Sequence, residues 1–209
     1  MEKLINELNG PFLAFLPVIF FILIFTALIA NYFFKGNASR SRILHRLTPD
    51  LLLVAVIIFR VAYAALLSLL QYYIWSHDAF SKFLLPPYQS IKYFLFYAGY
   101  HFWLSTLIAF FLAFAFWLSL FIASLFRKNL FVDGELKLAL LASMIVGWPD
   151  FIAFLPLIFA LAVIYSLLNF FWLKKETIHL GGVFILSALI AAFLGPLLIS
   201  LSGLADLQV

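Results

Sequence analysis

The sequence contains no cysteine. This absence excludes disulfides, thiolate zinc sites and a cysteine nucleophile, and it carries no information about the redox compartment. Charged residues are also scarce: they make up 11% of the 209 residues, whereas 67% are hydrophobic and the mean hydropathy is +1.15. A soluble domain of this length could not carry such a composition. The sequence therefore predicts an integral membrane protein.

Several motifs that carry chemistry are also missing. No glycine-rich phosphate loop precedes a helix, and no His-x-x-x-His pair has metal-ligand spacing. We therefore predict no metal or other cofactor. The basic residues are not gathered on a soluble surface, so we predict no nucleic-acid partner, and membrane lipid is the expected surrounding. The first apolar run lacks a basic leading segment and a small-residue cleavage site, so we interpret it as a retained helix.

The apolar runs predict six membrane-spanning helices in a single transmembrane domain, residues 1–209. A hydrocarbon core of about 30 Å needs roughly 20 apolar residues of helix. The predicted helices are Pro11–Phe34, Pro49–Trp75, His101–Phe126, Glu135–Trp148, Phe151–Trp172 and Gly182–Leu204. The fourth would be about 21 Å long, which is short for a full crossing. The predicted fold class is an all-α, polytopic integral membrane helix bundle.

The loop charges predict the orientation. Lysine and arginine accumulate in cytoplasmic loops, and alternate connections differ strongly in these residues. One side carries Lys35, Arg40, Arg42, Arg46, Arg127, Lys128, Lys137, Lys174 and Lys175, and the other carries Lys3, Lys82 and Lys92. The first group is assigned to the cytoplasm. Because six crossings return the chain to the side on which it began, both termini are predicted to lie on the outer side of the plasma membrane.

The polar residues at the start of the second predicted helix, and the arginine within it, each have a structural explanation. Thr48, Pro49 and Asp50 fit the N-cap and the first two positions of a helix, where a hydroxyl accepts a backbone N–H and an acid meets the helix dipole. Arg60 lies some ten residues further along, about 15 Å deep. An arginine at that depth is expected to face the bundle and pair with a carboxylate, a carbonyl or water. We predict a backbone carbonyl near the Gly147–Pro149 break.

Charged residues collect again at the start of the fourth predicted helix. Asp133, Glu135 and Lys137 stand there, with Gly134 between the two acids. A carboxylate at a membrane boundary is a functional-site hypothesis by default. The structural alternative is that acids in the first turn are favoured by the helix dipole without any chemistry.

The spacing of two cytoplasmic turns resembles the type IV prepilin peptidases, which are membrane aspartyl proteases that cut leader peptides from pilins and archaellins. That family has an Asp six residues before an Ile-Pro-Asn, often followed by Leu-Thr. Here Ile43, Leu47 and Thr48 match the second part, and Asn37 occupies the Asp position.

The family's second Asp lies in Gly-x-Gly-Asp-x-Lys. Gly134 and Lys137 match this motif, and Glu135 occupies the Asp position. The resemblance spans nearly the whole chain, and it implies a leader peptidase whose catalytic pair would be Asn37 and Glu135, with a pilin-like or other single-helix substrate.

The departures from the family pattern affect the chemistry directly. An aspartic protease needs two carboxyl groups that share a proton. The Asn37 amide cannot take or give that proton, and Glu135 reaches about one methylene further than an aspartate would. Asp133 or Asp50 would be the substitutes. The alternatives are an inactive relative that binds or escorts a membrane helix, and a small transporter or membrane scaffold.

Overall fold

The computed structural model of the chain describes residues 13–34, 48–126, 131–132, 134–173, 180–201 and 203. These residues form α-helices, short 3₁₀ and π segments and turns, and none of them lies in a strand. Four of the helical stretches are long and apolar enough to cross a membrane. They confirm the predicted all-α membrane helix bundle, whereas the count of six crossings stays a prediction.

Seven α-helices lie within the described residues. They are α1 (Leu13–Phe34), α2 (Pro49–His77), α3 (Ile91–Ala98), α4 (Leu104–Phe126), α5 (Glu135–Val146), α6 (Phe151–Leu168) and α7 (Gly181–Leu201). A 3₁₀ turn at Ser81–Leu84 precedes α3, and π segments follow α3 and α6 at Gly99–Trp103 and Asn169–Leu173. The chain forms two compact units, residues 1–52 and 53–209, with the boundary inside α2. The single domain stays a prediction.

The N-terminal unit contains α1 and the first turn of α2. On α1, Ile24, Phe25 and Leu28 are buried, at the spacing that places side chains on one face of a helix. The predicted helix start at Thr48 is confirmed. Its hydroxyl accepts a hydrogen bond from the Leu51 amide at 3.3 Å, and α2 begins with proline at its first position.

The third predicted helix begins earlier than the sequence suggested. We expected a start at His101, but the helix runs without interruption over Ile91–Phe126. Ser90 caps it, since its hydroxyl accepts a hydrogen bond from the Lys92 amide at 3.3 Å. The π segment at Gly99–Trp103 absorbs one extra residue, so α3 continues into α4.

Helix α5 is the most enclosed element of the second unit. Every residue from Leu141 to Gly147 is buried, as expected for a helix end that is apolar on nearly every side. It packs between α4 and α7, and α7 packs in turn against α6. The Phe116 ring joins these elements, with ring centroids 6.0 Å from Phe154 and 6.4 Å from Phe184. Helix α5 is therefore enclosed mainly by α4 and α7.

Candidate functional site

The residues that the sequence singled out are not all gathered in one place. Asn37 and Asp133 lie outside the described residues. Asp50 is exposed in the first turn of α2 and belongs to the N-terminal unit, residues 1–52. Glu135 and Arg60 belong to the second unit, where they act at opposite ends of α5.

Gly134 allows the chain to enter α5. Its φ of 91° lies in the left-handed region, which a side chain disfavours and glycine adopts at little cost. A Cβ built on Gly134 would meet nothing within 4 Å, so backbone conformation alone explains the glycine. The turn it makes brings Glu135 to the first position of the helix.

The Glu135 carboxylate links the starts of two helices. One oxygen, Oε2, accepts a hydrogen bond from the Val132 amide at 3.0 Å, just before α5. The other, Oε1, accepts one from the Gly181 amide at 3.1 Å, at the first residue of α7. Gly181 is the first residue of α7, and the first amides of a helix have no partner within it, whereas Val132 belongs to the turn that leads into α5. The dipoles of both helices favour an anion at this position. The carboxylate therefore stabilises α5 and α7 together.

Burial makes this arrangement specific. The Glu135 side chain is 4% exposed, and a buried carboxylate is tolerated only where hydrogen bonds compensate for the lost water. Lys137, two positions later, is exposed. Residues two apart on a helix point to different faces. The acid thus faces the protein, and the lysine side chain lies at the surface.

The other end of α5 is held by Arg60 of α2. Its Nε donates to the Met144 carbonyl at 2.8 Å, and its Nη2 donates to the Ile145 carbonyl at 3.0 Å. These carbonyls belong to the last turn of α5, where the helix offers them no amide. The predicted pairing of Arg60 with carbonyls near the Gly147–Pro149 break is confirmed.

Asp150 completes this second cluster, and the sequence reasoning did not identify it. It lies directly before α6, and its charge acts on Arg60. Its Oδ1 is buried and makes no hydrogen bond within the described part of the chain. A Cβ on Gly195 of α7 would collide with this carboxyl group, and one on Gly147 would collide with the Arg60 guanidinium. The acid following a Gly-Trp-Pro break was the signal available in the sequence.

Two other buried polar side chains lie on α7 and just after α6. Asn169 is 2% exposed and Ser187 is fully enclosed, and their side-chain polar atoms have no hydrogen-bond partner in the ranges described above. Such groups are costly to bury and are rare in folded proteins. Neither residue was identified from the sequence, because an isolated asparagine or serine in an apolar run gives no pattern.

The geometry limits what the Glu135 site can do. Helix α5 has 12 residues, so its two ends are about 18 Å apart. Asp150, which follows the far end, is therefore too distant to share a proton with Glu135. A carboxylate that accepts two backbone hydrogen bonds from two helix starts is well suited to fixing those helices in place.

Comparison with protein-family models, with curated proteins and with solved structures gave no significant match.

Proposed function

We propose that this chain is a prepilin-peptidase-like membrane protein that binds a leader-bearing, pilin-like membrane helix and cleaves it poorly or not at all. The binding face is the one that carries the start of α5, which the loop charges assign to the cytoplasm. Two observations support the proposal. The two motifs resemble those of the family in order and spacing, and Glu135, the carboxylate at a catalytic position, is hydrogen-bonded to two backbone amides.

One observation favours binding over cleavage. Glu135 holds the starts of α5 and α7 through hydrogen bonds of 3.0 and 3.1 Å. A general base must instead reach a water or substrate proton at hydrogen-bond distance. Its counterpart in the motif is Asn37, an amide, and an amide in that position removes the proton sharing on which an aspartic protease depends. Binding does not need this chemistry.

Binding and cleavage can be measured on one sample. The purified full-length chain is mixed in detergent with a pilin precursor that bears its leader, and with the same pilin lacking the leader. We expect the precursor to co-purify with the chain and to keep its full mass. The leaderless pilin is the matched control for the binding. Failure of the precursor to bind contradicts the proposal.

One alternative is an active leader peptidase, and restoration of the carboxyl pair tests whether the fold supports that chemistry. Asn37→Asp together with Glu135→Asp places two aspartates at the family's spacing and is expected to create cleavage. Each single change should do much less, because residues that act as a unit are not additive.

Robust cleavage by the unmodified chain, abolished by Asp133→Ala or Asp50→Ala, would show that another carboxylate pair performs the reaction. Asn37→Ala is the matched control, since it leaves such a relocated pair intact.

A further inference from the structure

The segment between α2 and α3, Asp78–Ser90, lies at one boundary of the membrane-spanning part. One candidate span ends at His77 and the next begins at Ile91. A chain segment that joins the ends of two adjacent spans emerges where hydrocarbon gives way to headgroups and water. We call it the connecting segment. Its position makes phospholipid headgroups its nearest neighbours outside the protein.

The connecting segment is folded back onto the helix ends by its own hydrogen bonds. The Leu85 amide donates to the Lys82 carbonyl at 3.2 Å, and the Tyr88 amide donates to the Leu85 carbonyl at 3.1 Å. Leu85 is 3% exposed and packs with Trp75, near the end of α2, and with Phe94, near the start of α3. This anchoring gives its outward side chains a defined orientation.

Those outward side chains are large and aromatic. Phe80 is 84% exposed and Tyr88 is 62% exposed, and the Phe83 ring stands 4.8 Å from the Tyr88 ring. Exposed aromatic side chains of this size are unfavourable in water, whereas aromatic residues concentrate at membrane–water boundaries. The rings therefore fit the headgroup zone of a bilayer.

The charges around the rings are mainly positive. Lys82 lies over the Phe83 ring, with Nζ 5.3 Å from the centroid, and Lys92 is exposed in the first turn of α3. The acid of the segment, Asp78, is turned onto the backbone, where it accepts hydrogen bonds from the Ser81 amide at 2.7 Å and the Phe80 amide at 3.2 Å. The lysines thus present the outward charge beside the rings.

We propose that the connecting segment is a binding site for anionic phospholipid, with Phe80, Phe83 and Tyr88 in the headgroup zone and Lys82 and Lys92 on the lipid phosphates. Basic residues beside a membrane surface attract anionic lipids, and the rings hold the lysines at headgroup depth. This proposal is independent of helix binding at Glu135.

The absence of cysteine makes a site-specific test possible. A fluorophore is attached to Ala79→Cys, which leaves the rings and both lysines intact, and the labelled chain is placed in bilayers. The quencher is a nitroxide near the headgroup, carried by phosphatidylglycerol or by phosphatidylcholine. The matched control is the same label on Ala115→Cys, which is exposed within the α4 span.

We expect both lipids to quench the Ala79 label, and phosphatidylglycerol to do so at least about five-fold more effectively at low salt, since each engaged lysine contributes about that factor. Lys82→Gln with Lys92→Gln should bring the ratio close to one, as should high salt. The ratio at Ala115 should stay near one throughout, and an unchanged extent of quenching of that label by both lipids shows that the variant is still inserted. A ratio near one at Ala79 in the unmodified chain, or one that the two glutamines leave unchanged, overturns the proposal.

Weak quenching of the Ala79 label by both lipids would overturn it in another way. Such a result would place the connecting segment away from the bilayer, and the exposed rings would then need another partner.

Discussion

Glu135 and Arg60 perform the same kind of task at opposite ends of α5. The carboxylate accepts from amides at two helix starts, and the guanidinium donates to carbonyls at a helix end. Each charge thus meets the end of the helix dipole that favours it. A 12-residue helix cannot span the hydrocarbon core by itself, and these two contacts hold its two ends against neighbouring segments of the chain.

Replacement of Glu135 by glutamine is expected to destabilise the chain by about 1–3 kcal/mol. The amide keeps the shape of the side chain, but its NH₂ group would face one of two amide donors, Val132 or Gly181, and leave it unsatisfied. Thermal unfolding in detergent measures the loss. Lys137→Gln is the matched control, because that side chain is exposed, and an equal loss in both variants would contradict a structural role for the carboxylate.

Replacement of Arg60 by leucine is expected to cost about 1–3 kcal/mol. The variant leaves two α5 carbonyls without their donor and leaves the partly buried Asp150 carboxyl without its opposing charge. Asp150→Asn added to Arg60→Leu should therefore cost less than the sum of the single changes, by about 0.5–3 kcal/mol. Unfolding midpoints of the four proteins give this coupling. Strict additivity would show that the two charges do not act on each other.

Asp78 provides a pH dependence that can be assigned to one group. The hydrogen bond from the Ser81 amide and a weaker one from the Phe80 amide lower the pKa of this carboxyl below its ordinary value. A carboxyl whose folded-state pKa is lowered stabilises the fold above the unfolded pKa, about 3.9, and loses that contribution as the pH falls through the folded value.

Asp78→Asn is therefore expected to lower the unfolding temperature at about pH 7, and to have a progressively smaller effect as the pH falls below about 3.9, the unfolded pKa. Unfolding curves of the two proteins at a series of pH values measure this difference. An Asp78→Asn effect that stays constant over the whole series would contradict the assignment.

At the scale of elements, glycines set how closely α7 approaches the turn between α5 and α6. Gly195 stands against the Asp150 side chain, whereas Gly99 in the π segment has open space around it. Close approach of helices in a membrane depends on small residues at the contact. The same substitution should therefore have different effects at these two glycines.

Gly195→Ala is expected to destabilise the chain by about 1–3 kcal/mol, because the added methyl group would push α7 away from Asp150. Gly99→Ala is the matched control and should be neutral or slightly stabilising, since alanine is the better helix former. Unfolding midpoints in detergent compare the two variants. Similar losses in both would show that helix propensity, not the contact with Asp150, decides the effect.

At the scale of the whole molecule, the loop charges predict which segments share a side of the membrane. Single cysteines at Ser39 and Lys174 should react with a membrane-impermeant reagent only from the cytoplasmic side, and a cysteine at Lys82 only from outside. Intact and opened cells give the comparison, and the cysteine-free parent is the control. Labelling of the Ser39 or Lys174 position from outside would reject both the six-crossing topology and the resemblance to prepilin peptidases.

The sequence by itself determined the features that depend on neighbouring residues. Apolar runs of membrane length predicted most helices to within a few residues, and the Thr48-Pro49 pair predicted the start of α2. It also determined that Arg60 needs buried acceptors, because the cost of an arginine at that depth follows from position in the helix alone. The start of the third predicted helix was placed at His101 instead of Ile91, because the π segment that continues the helix through Gly99–Trp103 has no clear sequence signal.

Only the tertiary structure decided which distant groups meet. The Glu135 carboxylate accepts a hydrogen bond from the Gly181 amide, 46 residues away in the sequence. Gly195 of α7 leaves room for the Asp150 side chain, which lies just before α6. Helix propensity and hydropathy act over a few residues, whereas these contacts depend on how α5, α6 and α7 pack. A glutamate in the first turn of a helix reads the same in sequence whether it is exposed or buried. Its burial against a second helix start supports a structural role for Glu135.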